Sequence, residues 1–265
     1  MEKKVCIIYN TSKEDAINFY KISKDFFIKK GFTLTTNVEE SEFVVVIGGD
    51  GTLLRASKEI AKHDKFAIAI NMGSLGFLTD IKTCEALKVF EDTLKGDYKL
   101  EERFMLEVEV KEKIYIGLNE VVLIKGGIVQ NLIKISAMGG KNFINTYRAD
   151  GLIIATPTGS TGYSLSAGGP IITPCLNLLV LTPIAPHNLS IRPILVRGDE
   201  ELTLKLENED RIAYVTIDGD EITEITPEDL VKVRTSKKKL KLLIPKSRDY
   251  YSVLREKLKW GDNIC

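Results

Sequence analysis

The stretch Phe43-Val-Val-Val-Ile-Gly-Gly-Asp-Gly-Thr52 decides the fold of the first part of the chain. Five apolar, mostly β-branched residues in a row indicate a strand that is buried on both faces, as in the middle of a parallel sheet. The chain then passes Gly48, Gly49, Asp50 and Gly51, and a helix is predicted to begin near Thr52. Because ligands of open α/β sheets bind at the carboxyl ends of strands, this turn is a candidate binding site.

The same alternation of strand and helix extends over residues 1–99. VCIIY at 5–9 and FAIAI at 66–70 repeat the pattern of a buried strand. Between and after these strands, apolar residues recur at helical spacing, and two of the helices are predicted to end at Gly31 and Gly96. We therefore predict an N-terminal α/β domain over residues 1–99, built as a parallel sheet with flanking helices.

After about Lys99 the period of the apolar residues changes from helical to alternating. MLEVEVK at 105–111, ELTLKLE at 201–207 and VKVR at 231–234 alternate apolar with charged or polar residues, as half-buried strands do. This predicts a larger, β-rich C-terminal domain over residues 100–249. Tyr251, Leu254 and Leu258 return to helical spacing, so we predict a C-terminal helix over 250–265 that packs back on the first domain.

Composition excludes several classes of partner. The 37 basic and 37 acidic residues balance to a formal net charge of zero, so no overall positive field favours nucleic acid or an anionic membrane. No apolar run is long enough to cross a bilayer. The four cysteines are far apart and only two histidines accompany them, which argues against a zinc site and a disulfide framework. We expect reduced thiols and a cytoplasmic protein.

Asp50 is the unusual residue of the first glycine loop. Glycines and the start of a helix suit a phosphate group, because backbone N–H groups can approach it closely. The loop is neither a dinucleotide fingerprint, since Leu54 replaces the third glycine, nor a Walker A loop. A carboxylate repels phosphate unless it binds a metal ion or accepts a proton from an attacking hydroxyl. The residues alone leave open the alternative that Asp50 caps the helix in a tight turn.

Two further glycine-containing segments are candidates for the same ligand. NMGSLGF at 71–77 follows the next strand, and taken alone it favours an ordinary strand-to-helix turn. Two glycine loops on adjacent strand ends together raise the odds of a shared phosphate pocket. TPTGSTGYSLSAGGPI at 156–171 has the composition of a flexible loop. The apolar residues on either side of it, with Tyr163 and Leu165 inside it, favour an ordered loop whose hydroxyl groups bind a polar ligand.

In combination, these motifs resemble the NAD kinase family. The resemblance covers nearly the whole chain and rests on IGGDGT, NMGSLGFL, LNEVV at 118–122, YRADGLIIATPTGSTGYSLSAGGPI and LTPIAPHNLSIRPI at 181–194. The short GGDGT motif is also shared with phosphofructokinases and with lipid kinases of the diacylglycerol and sphingosine type. The longer motifs, in the same order and at fitting intervals, carry the resemblance.

The resemblance implies roles for individual residues. Asp50 is the expected proton acceptor, Gly51 lies beside the dinucleotide and Arg55 lies near phosphate. Asn119 and Glu120 match a pair that hydrogen-bonds the dinucleotide, and Arg148 and Asp150 match the Arg-x-Asp before the glycine-rich loop. Further expected contacts are Phe77, Thr161, Gly162, Tyr163, Ser164, Leu165 and Ser166. Ala185 and His187 are expected to reach the ligand of a neighbouring subunit.

Two positions depart from the family pattern, and several have plainer alternatives. Asp220 lies in a turn that often holds Gln, and Gly162 stands where Ala is usual. Asn119 and Glu120 could be a strand edge in water, and Arg148 with Asp150 could be a surface ion pair of little energetic value.

The implied reaction transfers a phosphoryl group from ATP or inorganic polyphosphate to the 2′-hydroxyl of the adenosine ribose of NAD, which gives NADP. Mg²⁺ is expected to arrive with the donor, and no protein metal site is expected. The family binds NAD in the cleft between its two domains, and a homo-oligomer, commonly a tetramer, is expected. Two alternatives remain: a lipid kinase that shares GGDGT, and a non-catalytic dinucleotide sensor.

Overall fold

The computed structural model describes residues 2–73, 76–126, 131–208 and 212–260, apart from the side chain of Glu221. The chain forms two compact units, one of residues 1–102 and 239–265 and the other of Arg103–Lys238. Among the described residues, no helix is both long enough and apolar enough to cross a membrane.

In chain order the elements are β1 (Lys4–Tyr9), α1 (Glu14–Lys29), β2 (Thr33–Thr35), β3 (Phe43–Gly48), α2 (Asp50–Lys62), β4 (Phe66–Asn71), β5 (Ile81–Lys82), α3 (Thr83–Leu94), β6 (Lys99–Val110), β7 (Lys113–Gly117), β8 (Glu120–Lys125), β9 (Ile133–Gly139), β10 (Asn142–Ala149), β11 (Gly151–Ala155), α4 (Tyr163–Ser166), β12 (Leu178–Ile184), β13 (Ile194–Arg197), β14 (Leu202–Leu206), β15 (Ala213–Ile217), β16 (Asp220–Ile225), β17 (Leu230–Ile244) and α5 (Tyr250–Leu258). A single 3₁₀ turn precedes α4 at Gly159–Thr161.

The first unit is built on a parallel sheet. Strands β2, β1, β3 and β4 lie side by side in that order, and β5 and the last part of β17 pair with β4. Every residue of β3 is buried, as the run of β-branched residues predicts. Helices α1 and α3 pack their apolar residues, Phe27 and Phe90 among them, against the sheet in one core. The predicted α/β domain with flanking helices is confirmed.

The second unit is a sandwich of antiparallel sheets. One sheet contains β10, β9, β14 and the first part of β17, and β6 pairs with β17 and β7. The other has the order β13-β12-β11-β8-β15-β16. A core formed from both sheets fills the space between them and includes Leu204 and Val215. The prediction of a β-rich C-terminal domain is confirmed.

The central strands of the second sheet, β8, β11 and β12, are buried on both faces. Along β11, Leu152 and Ile154 point into the core of the sandwich, whereas Ile153 and Ala155 point into a smaller core on the opposite face. Ile172, which follows the glycine-rich segment, closes that smaller core. This packing explains the unbroken apolar run at 152–155 and holds both ends of the glycine-rich segment against the sheet.

The C-terminal helix belongs to the first unit, as predicted. Arg248 pairs with Asp80 at 3.2 Å and with Glu85, and Glu256 pairs with Lys82. The units change at 102/103 and 238/239, whereas the sequence places the changes near 99/100 and 249/250. Strands β6 and β17 each continue through a boundary, and apolar periodicity cannot mark a boundary inside a strand. Residues 261–265 of the predicted C-terminal segment lie outside the described residues.

Candidate functional site

Asp50 is the first residue of α2, directly after the buried strand β3. Gly49, the residue before the helix, has an extended backbone, so the chain turns sharply from strand into helix. Leu53 and Ile60 on the inner side of α2 are fully buried and fix the helix against the sheet. Asp50 is thereby held, half-buried, at the carboxyl edge of the sheet, where the positive end of the α2 dipole stabilises its negative charge.

The carboxylate of Asp50 is bound by the loop that follows β4. Its Oδ2 accepts a hydrogen bond from the N–H of Phe77 at 2.8 Å. Its Oδ1 accepts hydrogen bonds from the N–H groups of Leu78 at 3.2 Å and Thr79 at 2.9 Å, and from the Thr79 hydroxyl at 2.9 Å. We interpreted this loop from sequence as part of a phosphate pocket, but three of its N–H groups are directed at Asp50. Residues 74 and 75 of the motif lie outside the described residues.

Gly76 and Asn71 complete this arrangement. A Cβ atom on Gly76 would collide with Asp50 Oδ1 and would lie 2.7 Å from the Thr79 hydroxyl, so only glycine permits this approach. The buried side chain of Asn71, the last residue of β4, donates to the Thr79 carbonyl at 2.8 Å and to the Thr79 hydroxyl at 3.1 Å. The Asp50 contact therefore rests on a buried side chain at the end of a central strand.

The other residues of the first unit that are predicted to contact the ligand differ in their exposure. Gly51 and Arg55 are exposed on α2. Phe77 is partly buried, and the Nζ atom of Lys257 in α5 lies 5.7 Å from the centre of its ring. Phe77 is thus connected to Asp50 through its backbone and to the C-terminal helix through its side chain.

In the second unit, the turn after β15 holds the Asn119–Glu120 segment. The carboxylate of Asp218 accepts hydrogen bonds from the N–H groups of Leu118 and Asn119, both at 2.8 Å, and of Glu120 at 3.3 Å. The Asp218 N–H donates to the Glu120 carbonyl at 3.0 Å. These bonds fix the backbone that carries the two side chains.

The side chains of Asn119 and Glu120 present buried acceptor atoms without a partner. Among the described residues, neither Asn119 Oδ1 nor Glu120 Oε2 has a hydrogen-bond donor. Glu120 is only 9% exposed. Burial, and secondly the negative charge of Asp218, raise the pKa of Glu120 to about 7. Unpaired buried acceptors are costly, so these atoms are suited to a ligand that brings donors.

The glycine-rich segment that the sequence places at 156–171 is ordered by its own hydroxyl groups. The Thr156 hydroxyl donates to the Leu118 carbonyl at 2.7 Å, and the Ser160 hydroxyl donates to the Pro157 carbonyl at 2.6 Å. The Ile172 N–H donates in turn to Ser160 Oγ at 3.0 Å. The segment therefore lies directly against the Asn119–Glu120 backbone.

The predicted contacts from Thr161 to Ser166 form the end of the 3₁₀ turn and the short helix α4. Ser164 is buried and its hydroxyl hydrogen-bonds the Thr182 hydroxyl at 2.9 Å. Gly162 lies beside the unpartnered acceptors, since a Cβ atom there would be 3.4 Å from Glu120 Oε2 and 3.9 Å from Asn119 Nδ2. Thr161 and Leu165 are half-buried, whereas Tyr163 and Ser166 are exposed.

Arg148 and Asp150 do not pair with each other as the surface-pair alternative supposed. The carboxylate of Asp150 pairs with Lys125 at 2.6 Å, and Arg148 is exposed. Asp150 lies between β10 of one sheet and β11 of the other, and its N–H donates to the Ile184 carbonyl at 2.9 Å. It thus occupies the point where the chain crosses between the two layers of the sandwich.

The remaining three predicted residues, Ala185, His187 and Asp220, are also exposed. Ala185 has a positive φ of 45°, and His187 donates its N–H to the Arg148 carbonyl at 2.9 Å. Asp220 is exposed at the start of β16. The neighbouring Asp218, not Asp220, binds the Asn119–Glu120 backbone.

Sequence reasoning missed the residues that support the site. They are Asn71 and Thr79 beside Asp50, and Lys125, Thr158 and Asp218 in the second unit; the Thr158 hydroxyl is also buried without a partner among the described residues. A polar Asn71 at the end of the apolar run FAIAI, and the Asp-Gly pair at 218–219, were the available signals.

Comparison with known proteins agrees with this architecture. The family model described as the ATP-NAD kinase N-terminal domain matches residues 5–98, and the ATP-NAD kinase C-terminal domain matches 118–244. The NAD kinase of Fusobacterium nucleatum subsp. nucleatum is 48% identical over 265 residues, which covers 99% of each chain.

Two solved structures share the fold. The yeast NADH kinase complexed with NADH has a TM-score of 0.87 at 22% identity, covering 100% of this chain and 89% of its own. The Archaeoglobus fulgidus NAD kinase in complex with ATP has a TM-score of 0.76 at 22% identity, covering 96% of this chain and 99% of its own. At this identity the likeness concerns the fold.

An α/β unit with a Gly-Gly-Asp-Gly loop, followed by a β sandwich with a hydroxyl-rich loop, and the two matching family models place the chain among two-domain phosphotransferases. The chain belongs to the NAD kinase family, whose members are enzymes that phosphorylate NAD. The family resemblance inferred from the motifs is confirmed, and it replaces the lipid-kinase alternative.

Proposed function

We propose that this protein transfers the γ-phosphoryl group of ATP to the 2′-hydroxyl of the adenosine ribose of NAD and so forms NADP. The observation that carries the proposal is the pair of unpartnered buried acceptors, Asn119 Oδ1 and Glu120 Oε2, within the match to the C-terminal domain of NAD kinases. Ribose hydroxyls and an adenine amino group are donors, and a site built to receive donors rejects ligands that lack them.

The proton acceptor in this proposal is Asp50. The hydroxyl proton of the acceptor passes to the Asp50 carboxylate as the ribose oxygen forms its bond to the γ-phosphorus. The bond between that phosphorus and the bridging oxygen of the donor breaks, and ADP leaves with the electron pair. Transfer of a proton to a positioned side chain of this kind contributes roughly 10²–10⁴ in rate.

The proposal includes Mg²⁺ carried by the phosphate oxygens of the donor. Among the described residues, no group of three or more His, Cys, Asp or Glu side chains is spaced to hold a metal ion. Mg²⁺ commonly retains phosphate and water ligands, and when bound here it would neutralise charge on the transferred group. Inorganic polyphosphate offers the same chemistry, so the donor is part of the test.

We further propose a homo-oligomer, with a tetramer as the family suggests, in the cytoplasm. The outer strand β13 and the loop before it expose Leu189, Ile194 and Leu195, and Leu189 is 85% exposed. An apolar patch on an edge strand next to Ala185 and His187 suits a contact with a second copy. The free thiols of Cys6, Cys84 and Cys175 suit a reducing compartment.

The oligomer is tested by light scattering coupled to gel filtration. We expect more than one chain per particle, and we expect Leu189→Glu to dissociate it because the charge would be buried at the contact. Ile114→Glu, at an exposed apolar residue of β7, is the matched control. A fully active monomer of wild type would contradict this part of the proposal.

The reaction is tested with the purified full chain, NAD, a phosphoryl donor and Mg²⁺, with NADP measured by an NADP-specific dehydrogenase. ATP and polyphosphate are compared, and NADH is tried as acceptor. We expect NADP from NAD with ATP, and much less with Asp50→Asn. If NAD binds by calorimetry but no donor yields NADP, the protein is a dinucleotide sensor and the proposed reaction is wrong.

A further inference from the structure

The two oxygens of the Asp50 carboxylate are not equivalent. Among the described residues, Oδ1 accepts three hydrogen bonds, from the N–H groups of Leu78 and Thr79 and from the Thr79 hydroxyl. Oδ2 accepts one, from the N–H of Phe77. A carboxylate offers about two lone-pair sites on each oxygen. Counted over the described residues, Oδ1 is therefore saturated, whereas Oδ2 keeps one acceptor site.

The direction of each hydrogen bond around Thr79 is fixed by chemistry. An ionised carboxylate can only accept, so the Thr79 hydroxyl must donate its single proton to Asp50 Oδ1. The oxygen of that hydroxyl then accepts from Asn71 Nδ2 at 3.1 Å, while Nδ2 also donates to the Thr79 carbonyl at 2.8 Å. Both contacts require that the amide nitrogen of Asn71, and not its amide oxygen, faces Thr79. The hydrogen bonds therefore run in one direction, from Asn71 to Thr79 and from Thr79 to Asp50.

Burial makes this series of hydrogen bonds rigid. Thr79 is fully buried, and Asn71 is 5% exposed as the final residue of the central strand β4. The loop closes on itself as the Gly76 N–H donates to the Thr79 carbonyl at 3.1 Å. A carboxylate held by a buried hydroxyl, which is itself held by a buried amide, keeps one orientation through packing and hydrogen bonds together.

We propose that Thr79, supported by Asn71, is a positioning residue that anchors Asp50 through Oδ1 and leaves Oδ2 as the atom that accepts the proton of the substrate hydroxyl. This inference rests on the proposed function. The acceptor O–H donates to Oδ2, its proton moves there as the oxygen bonds to phosphorus, and the bond from phosphorus to the donor's bridging oxygen breaks. Oδ1 keeps its three donors throughout, so the carboxylate does not rotate.

The test compares Thr79→Val with wild type, with Thr79→Ser, and with Thr93→Val at a buried threonine of α3. Valine keeps the shape of threonine and removes the hydroxyl, which donates to Asp50 Oδ1 and accepts from Asn71 Nδ2. Because small misplacement of a reacting group can cost about a hundredfold, we expect kcat to fall by about ten- to a hundredfold. The KM for NAD and for ATP should stay within about twofold, since positioning acts in the transition state.

Thr79→Ser should restore kcat to within about threefold of wild type, because serine returns the hydroxyl. Thr93→Val should leave it unchanged. Thermal unfolding and circular dichroism establish that each variant is folded. A wild-type kcat in Thr79→Val, or a loss that serine does not restore, would overturn the inference.

A double-mutant cycle separates this inference from the proposed function. In an Asp50→Ala background, Thr79→Val should have no further effect on residual turnover, because Thr79 acts only through Asp50. The same pair should show non-additive shifts in the thermal midpoint, which need no turnover to measure. A wild-type protein without NAD kinase activity would contradict the proposed function. Additive shifts of the thermal midpoint would instead show that Thr79 does not anchor Asp50.

Discussion

Asp50 and Glu120 are both carboxylates beside a glycine-rich turn, yet their surroundings are opposite. Asp50 is half-buried and receives three N–H donors and one hydroxyl donor. Glu120 is 9% exposed, its Oε2 has no partner among the described residues, and its pKa is raised to about 7. The two sites differ in the number of hydrogen-bond donors that the protein directs at each carboxylate, and not in the type of charged group.

This difference assigns different tasks to the two carboxylates. The protein itself stabilises the charge of Asp50 and fixes its direction, which suits a group that must act from one position. Glu120 is left with an acceptor atom that the protein does not satisfy, which suits a ligand-binding group completed only by its ligand. Four substitutions break or sharpen this comparison.

Asp50→Asn should have the largest effect. The amide cannot accept a proton as a carboxylate does, and its NH₂ group would face either the Phe77 N–H or the donors on the Oδ1 side. We expect kcat to fall by about a hundredfold or more, with NAD affinity little changed. Steady-state kinetics and calorimetry measure the two quantities, and a near wild-type kcat would show that Asp50 serves only as a structural anchor.

Glu120→Gln should change how stability depends on pH. The folded pKa of about 7 lies above the ordinary 4.5, so between these values the folded state binds more protons than the unfolded state. Unliganded wild type should therefore lose up to about 3 kcal/mol of unfolding free energy as pH rises from about 4.5 to above 7. Glutamine cannot ionise, so the variant should not show this loss.

The measurement for Glu120→Gln is chemical denaturation at several pH values, with Glu112→Gln at an exposed glutamate as control. We expect Glu120→Gln to be more stable than wild type above pH of about 7, and the difference to shrink towards pH of about 5. Parallel pH profiles for wild type and Glu120→Gln would show that Glu120 ionises normally.

Asp150→Ala should weaken NAD binding about tenfold without unfolding the protein, because it leaves the amino group of Lys125 without its carboxylate. Asp150 keeps 33% of its side chain exposed, which limits the effect on stability. Glu109→Ala, which breaks the comparable Lys232 pair, is the control. If calorimetry finds the same NAD affinity in Asp150→Ala and wild type, the Asp150–Lys125 pair is only a surface contact.

Gly162→Ala should have the smallest effect. A methyl group would lie 3.3 Å from the Gly159 carbonyl and 3.4 Å from Glu120 Oε2, so these neighbours must shift by a few tenths of an ångström. This cost offsets the roughly 0.4–1 kcal/mol that Gly→Ala gains by restricting the unfolded chain. We expect the unfolding free energy to change by less than about 1 kcal/mol and NAD still to bind. Loss of NAD binding would show that the loop needs glycine here.

The sequence predicted the fold class well because apolar periodicity reports burial directly. The run at 43–47 could be satisfied only by a strand covered on both faces, and β3 is fully buried. The change of period near Lys99 likewise predicted the β-rich part. The limits of the compact units were not visible, since β6 and β17 pass through them without a break in pattern.

The prediction of the site was incomplete for a different reason. Asp50 was recognised as the central residue, but the N–H groups that bind it lie 27 to 29 residues later. Asp218 similarly acts on backbone about 100 residues earlier, and its neighbour Asp220 was named instead. Hydrogen bonds over such separations depend on which strands become neighbours, and no local pattern records them.

The sequence by itself determined that an α/β part precedes a β-rich part, that the chain belongs with NAD kinases, and that Asp50 follows a buried strand. Only the tertiary structure decided that Asp50 Oδ1 is saturated with donors and that, among the described residues, Glu120 Oε2 has none. Periodicity and motifs reflect the local free energy of burial and backbone conformation, whereas the state of a carboxylate depends on donors that arrive from distant parts of the chain.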